Sequence, residues 1–388
     1  MKKIRVTIIG IVLLFCITLL ISACSKGSQN EQVKEEKKKM QEEIWLEEMT
    51  LEEKVAQFFM ITPEQLTGYG QVIKAGKVTE QALKEYPVGG MILFANNMED
   101  DEQLKTMMKG FKKINDSQRE IPIFLGIDEE GGQVARIANS GKCNVKKTGD
   151  MKTLGRRSSE DVYQAASYIG GYLREYGFNV DFAPVADVFN EDTADVIRRR
   201  SFGNDPEKVS KMVTAYLNGL TEQEILGAVK HFPGQGSVKQ DTHLESGYIS
   251  KSFDEMMDTD LLPFQTAIKK EVPFVMVSHM IPGGRDSNEL PSSMNKKVVD
   301  ELLRDQLGYE NIVITDAFNM AAISNHYSSD EAAIKAIQAG VDMILMPEDF
   351  QKAYQGVMKA VEDGRISEER IDESVKRILK IKLALLKS

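Results

Sequence analysis

The chain has 388 residues, 42% hydrophobic and 28% charged, and reads as a soluble globular protein with room for one large core. A formal net charge of −10 and a pI near 5.2 exclude the broad basic face that a nucleic-acid partner needs. Three cysteines leave no disulfide framework once the first two are accounted for below.

The N-terminus opens with Lys2, Lys3 and Arg5, continues as an apolar run and closes on "ISAC". A basic start, an apolar middle and small residues before a cysteine have the form of a bacterial lipoprotein signal. Residues 1–23 are then the signal peptide, and Cys24 is the lipidated first residue of the mature chain. An uncleaved membrane anchor is the alternative, and both export the protein. Cys16 leaves with the signal, and Cys143 remains as a lone packing thiol. Residues 24–48 carry charges of both signs and little apolar surface, as a solvated tether or exposed first helix does.

From Val55 short apolar runs recur: 55–61, 89–95, 121–128, 178–188, 225–232, 272–280, 311–318 and 341–347. They are β-branched or aromatic without helical spacing, so they predict buried strands. Helical patterns lie between them, over 159–176 and 205–223, the second opening with Asp205-Pro206 as N-cap and first helical residue. The last 21 residues before the terminal Lys-Ser, "ISEERIDESVKRILKIKLALL", predict an amphipathic helix. Eight strands alternating with helices predict an α/β fold, a (β/α)8 TIM-like barrel forming a single catalytic domain over 49–388. A doubly wound open sheet is the alternative.

Barrel active sites form at the C-terminal ends of the strands. Those ends carry Asp128, Asp187, Lys230 with His231, His279 and Asp316, with no matching polar set at the strand starts. Such convergence fits a polar ligand. Zinc is one reading, since His231, His243 and His279 can supply ligands, but no H-x-x-x-H pair is present. No G-x-S-x-G elbow and no G-x-G-x-x-G after a strand are present either, which disfavours serine-nucleophile and dinucleotide chemistry. Acid–base work by carboxylates on an uncharged polar ligand remains, which suits a sugar. His326 lies outside the set and reads as a surface residue.

Four motifs carry a more specific signal: "GIDEEGGQVARI", "RRRSFGNDP", "KHFPGQGSVKQDTH" and "VITDAFNM". In residue type, spacing and order they resemble the family-3 glycoside hydrolases, and within them the β-N-acetylglucosaminidase branch. The resemblance runs from Met49 to the C-terminus and implies a retaining exo-β-N-acetylglucosaminidase acting on cell-wall glycans or muropeptides, with no metal or cofactor. It implies Asp316 as nucleophile, His243 as proton donor and Asp241 as the partner of its ring. Asp128, Arg136, Arg200, Lys230 and His231 fall at the positions that grip the sugar, and His279 is given a supporting place behind them. Simpler readings stand beside these: Asp316 as a helix N-cap, Asp241 as a turn cap beside an exposed His243, and Arg136 or Arg200 as an ion pair with Asp187. The family often has histidine where this chain has Gln235, and glutamine cannot titrate. Within the family, a β-glucosidase or xylosidase and a phosphorylase are the alternatives, and a non-catalytic sugar-binding lipoprotein is an alternative of another class. The implied partners are a carbohydrate and, through Cys24, a membrane.

Overall fold

The computed structural model describes residues 37–190, 193, 195–236, 247–284 and 289–387. Cys24, Asp241 and His243 therefore lie outside the described residues. Residues 37–48 form a helix. Met49–Ser388 is one compact unit.

Eight parallel strands make the sheet: β1 Phe59–Ile61, β2 Gly90–Ile92, β3 Phe124–Ile127, β4 Val180–Asp181, β5 Leu226–Phe232, β6 Phe274–Val277, β7 Ile312–Thr315 and β8 Ile344–Leu345. Each pairs with the next in chain order, and β1 pairs with β8 through Phe59–Ile344 and Met60–Leu345. An Ile314–Met343 bridge, with the Thr315 N–H donating to the Met343 carbonyl at 3.0 Å, joins β7 to β8 and closes the ring. This is the (β/α)8 barrel, not the open sheet.

Sequence explains the helices locally. Helix α1, Leu51–Gln57, starts at a capping box in which the Thr50 side chain and Glu53 satisfy each other's backbone N–H. That box corrects the first expected strand. Val55 to Gln57 are helical and buried, and β1 begins only at Phe59. Helices α2, Ser159–Tyr176, and α3, Pro206–Glu222, match their predicted spans. Asp205 caps α3 through the N–H groups of Glu207 and Lys208. The fourth expected strand is shorter than its apolar run: after Asp181 only a bridge from Val185 to Lys230 remains.

The barrel interior is filled by Met60, Ile92, Phe124, Phe182, Phe274, Met276, Ile314 and Leu345. Phe124 and Phe274 meet edge to face at 5.2 Å. Ile378 and Ile381 of the last helix, α4 (Glu368–Ala384), join this cluster, so the amphipathic C-terminus belongs to the core. A buried Asp342, just before β8, anchors the surroundings of that helix by accepting from Arg377, Ser374 and Arg304. The polar groups at the strands' other ends are left facing a cavity.

Candidate active site

A cavity of about 340 Å³ opens at the C-terminal ends of the strands. Asp128, Glu130, Arg136, Arg200, Lys230, His231, Gln235 and Asp316 line it, with Phe94, Met276 and Met346 among its apolar walls.

The site begins at the turn after β3. Gly131 and Gly132 have φ of +93° and +59°, the left-handed region where a side chain is strained. A Cβ on Gly131 would also lie 2.4 Å from the Thr148 hydroxyl. The double glycine thus lets the chain reverse immediately after "DEE". Asp128 and Glu130 then front the same cavity, while Glu129 between them points away. Glu129 accepts from the Ile137 and Ala138 N–H groups at 2.8 and 2.9 Å and from the Tyr172 hydroxyl at 2.7 Å.

Strand β5 brings Lys230 and His231 to the rim. The Lys230 ammonium lies 2.7 Å from both Asp128 Oδ1 and Glu130 Oε1. Arg200 reaches Glu130 through two N–H donors at 2.8 and 2.7 Å, the forked geometry that suits a carboxylate. Arg200 also lies 3.2 Å from His231 Nε2. Guanidinium only donates, so His231 Nε2 accepts, and Nδ1–H donates to Asp187 Oδ2 at 2.7 Å. Asp187 Oδ1 takes the Gln235 backbone N–H at 2.7 Å, tying the loop after β5 to the loop after β4. Gly236 completes that seam, because a Cβ there would fall 1.7 Å from the Val188 carbonyl oxygen.

Burial sharpens these charges. Burial alone pushes the Glu130 carboxyl up, but Arg200 and then Lys230 outweigh it and bring the group down to about 2. Burial pulls the Lys230 amine down, and Asp128 and Glu130 more than reverse that, leaving it above its ordinary value. Arg200 is held above its ordinary value in the same way, chiefly by Glu130. Lys230 and Arg200 therefore stay cationic while buried.

These contacts settle two open readings. Arg200 is ion-paired, but with Glu130 and not with Asp187. Arg136 approaches Asp128 at 3.6 Å and stacks over the Phe94 ring, again away from Asp187. Asp316 follows β7 and its Oδ1 accepts from the next N–H, that of Ala317, at 2.8 Å. It does not cap the following helix, which begins at Ala321 after Met320. His279 is fully buried beneath this turn, 2.9 Å from the Ser293 hydroxyl and 3.0 Å from the Ala317 carbonyl oxygen. It holds the backbone beside Asp316 and does not line the cavity. His326 is exposed. Of the three histidines considered for zinc, His231 and His279 are engaged in separate networks, and the described residues contain no cluster of three or more metal-ligating side chains.

Six of the eight expected site residues (Asp128, Arg136, Arg200, Lys230, His231 and Asp316) thus line one cavity. Glu130 is the one sequence reading passed over. Its signal was available: it stands two residues from Asp128, and three cations at one rim need more than one counter-charge.

The family described as "Glycosyl hydrolase family 3 N terminal domain" matches residues 50–381. The chain belongs to glycosyl hydrolase family 3. The family-3 barrel is 32% identical over 332 residues to "Beta-hexosaminidase A" of Pseudoalteromonas piscicida, covering 79% of this chain and 55% of that one. It is 30% identical to "Beta-hexosaminidase LpqI" of Mycobacterium tuberculosis, covering 78% of each. Among solved structures, the family 3 β-N-acetylglucosaminidase from Paenibacillus sp. str. FPU-7 superposes with a TM-score of 0.80 at 32% identity, over 88% of this chain and 64% of that one. The chain thus spans about half of the first relative and less than two thirds of this structure.

Proposed function

We propose that the protein is an exported, retaining exo-β-N-acetylglucosaminidase that removes terminal N-acetylglucosamine from cell-wall-type glycans. The observation that carries this reading is the shared cavity: Asp316 fronts the same 340 Å³ space as Asp128, Arg136, Arg200, Lys230 and His231, at the catalytic end of a family-3 barrel. The names of the relatives, β-hexosaminidases and a β-N-acetylglucosaminidase, support the choice of sugar.

In the proposed reaction the Asp316 carboxylate attacks the anomeric carbon as the glycosidic bond breaks. The His243 imidazolium gives its proton to the departing oxygen, with Asp241 accepting a hydrogen bond from the ring. A glycosyl-Asp316 ester results. Water then attacks the same carbon, gives its proton to His243 and frees Asp316, with net retention. The paired cations and carboxylates around Lys230 and Arg200 hold the sugar's hydroxyl and acetamido groups by directed hydrogen bonds. For localisation, we propose cleavage before Cys24 and lipid attachment there, facing outward. The motif "ISAC" supports this, and one relative is named as a secreted glycosyl hydrolase.

The test uses aryl β-N-acetylglucosaminide and aryl β-glucoside. The first should be cleaved and the second much more slowly, with no effect of chelator. Asp316→Asn should abolish turnover of both good and poor leaving groups. His243→Ala should cost about 10²–10⁴-fold with a poor leaving group and accumulate glycosyl-enzyme with an activated one. Equal turnover of the glucoside overturns the substrate assignment, and a folded, active Asp316→Asn enzyme overturns the nucleophile.

A further inference from the structure

Most charged groups facing the cavity are already paired to one another. Lys230 is held by Asp128 and Glu130, Arg200 by Glu130 and His231, and His231 by Asp187. Two donor atoms are not. Arg136 Nε and Gln235 Nε2 are shielded from solvent and have no hydrogen-bond partner among the described residues. Both residues line the cavity. Arg136 is already placed among the sugar-gripping residues; Gln235 is not.

Gln235 is 7% exposed, and its backbone is fixed from both sides. Its own N–H donates to Asp187 Oδ1 at 2.7 Å, and Gly236 next to it is wedged against Val188. Its placement is therefore built by the same carboxylate that orients His231. A buried amide donor left without a partner costs stability, and native proteins rarely keep one without a use. The terminal amide torsion of glutamine is soft, so a rotation in place presents the N–H2 edge to the cavity.

We infer that Gln235 is a substrate-contacting residue, whose carboxamide donates to an uncharged oxygen of the bound sugar. The inference rests on the proposed function in that the ligand is an N-acetylglucosaminyl group. It assigns Gln235 a part in ground-state and transition-state binding and no part in proton transfer, since an amide does not titrate. In the free protein the donor is unsatisfied; in the complex it is paired. The contact thus strengthens ligand binding without stabilising the empty fold.

That asymmetry gives the test. Gln235→Met keeps length and flexibility but removes the donor, and Gln235→His restores an N–H on a shorter ring. Binding of N-acetylglucosamine is measured by calorimetry, alongside kcat/KM on the aryl glycoside and thermal unfolding of the free protein. Gln235→Met should weaken binding and lower kcat/KM on the order of tenfold, while its unfolding temperature is unchanged or raised. Gln235→His should recover part of the loss. A Gln235→Met protein that binds as wild type does overturns the inference alone. So does one whose binding falls only in step with a lowered unfolding temperature, because that is a structural role. If Gln235→Met does not fold, Gln235→His decides by the same two measurements against wild type: an unchanged unfolding temperature with near-wild-type binding supports the contact, and a loss of both overturns it. A wild-type protein that binds no N-acetylglucosamine overturns the proposed function first, and this inference with it.

Discussion

Replacing Glu130 by glutamine removes one charge and almost no volume from the middle of the site. The carboxylate lost is 1% exposed and accepts two N–H bonds from Arg200 and one from Lys230. The variant leaves two buried cations with one nearby carboxylate, Asp128, to share, and Asp187 beyond His231. A drop of the Glu130 carboxyl from 4.5 to about 2 corresponds to roughly 3 kcal/mol of stability at neutral pH. Breaking a buried ion pair by removing one partner costs about 3–5 kcal/mol, so the two routes agree. The sign follows from the depressed folded value. This contribution is complete above the unfolded value near 4.5 and is lost as pH falls towards the folded value near 2. Urea unfolding at pH 7 should therefore separate wild type from Glu130→Gln by about 3 kcal/mol, and at pH 3 by about 2 kcal/mol less. Turnover should fall as well, because Arg200 and Lys230 lose the anchor that aims them. A difference below about 0.5 kcal/mol at pH 7, or one that does not narrow at pH 3, would refute the argument that Glu130 is the buried counter-charge.

Two further predictions concern the far end of the barrel. Asp342→Asn removes the charge that Arg304, Arg377 and Ser374 share, and should cost about 3–5 kcal/mol in denaturant unfolding while leaving KM unchanged. Lys382 is 1% exposed, donates to Gln57 Oε1 at 2.7 Å and sits over the Phe124 ring, and burial, then Arg119, hold its amine well below the ordinary lysine value. A depressed folded value means that wild type gains stability as pH rises towards the unfolded value; Lys382→Met should be more stable than wild type at pH 7 and lose that rise, as thermal unfolding between pH 7 and 10 will register.

Much of the site was legible because chemistry at a barrel rim is written at strand ends. Asp128, Lys230, His231 and Asp316 each close an apolar run, where the C-terminal end of a barrel strand meets the cavity. Pairing was not legible in the same way. Arg200 stands 13 residues from Asp187 but 70 from Glu130, and only the fold decides that Glu130 is its partner and Asp128 that of Arg136. The first strand was misread for a local reason. "VAQFFMI" is apolar throughout, and what breaks it at Phe58 is the helix started by Thr50, five residues upstream of the run. The fourth was overread because Pro184 and the polar Asp187 lie inside an apolar stretch whose backbone leaves the ladder after Asp181. His279 shows the limit of rim logic: it closes a strand like the others, yet its ring turns inward to Ser293 and Ala317.

The charge arrangement itself bears on the ligand. Asp128 and Glu130 face Arg136, Arg200 and Lys230, and Asp187 joins them through His231, which sits between Asp187 and Arg200. A site built for a phosphate or carboxylate would leave cations in excess, because an anion must supply the missing counter-charge. Among the described residues the cavity carries no excess of cations, with Asp316 as a further acid on its wall. Lys230 and Arg200 are held in place by their carboxylate partners. Such a surface suits a ligand that offers many uncharged oxygens in a fixed geometry. In the proposed reaction the charge that develops at the anomeric carbon is met by Asp316, which lines the same cavity.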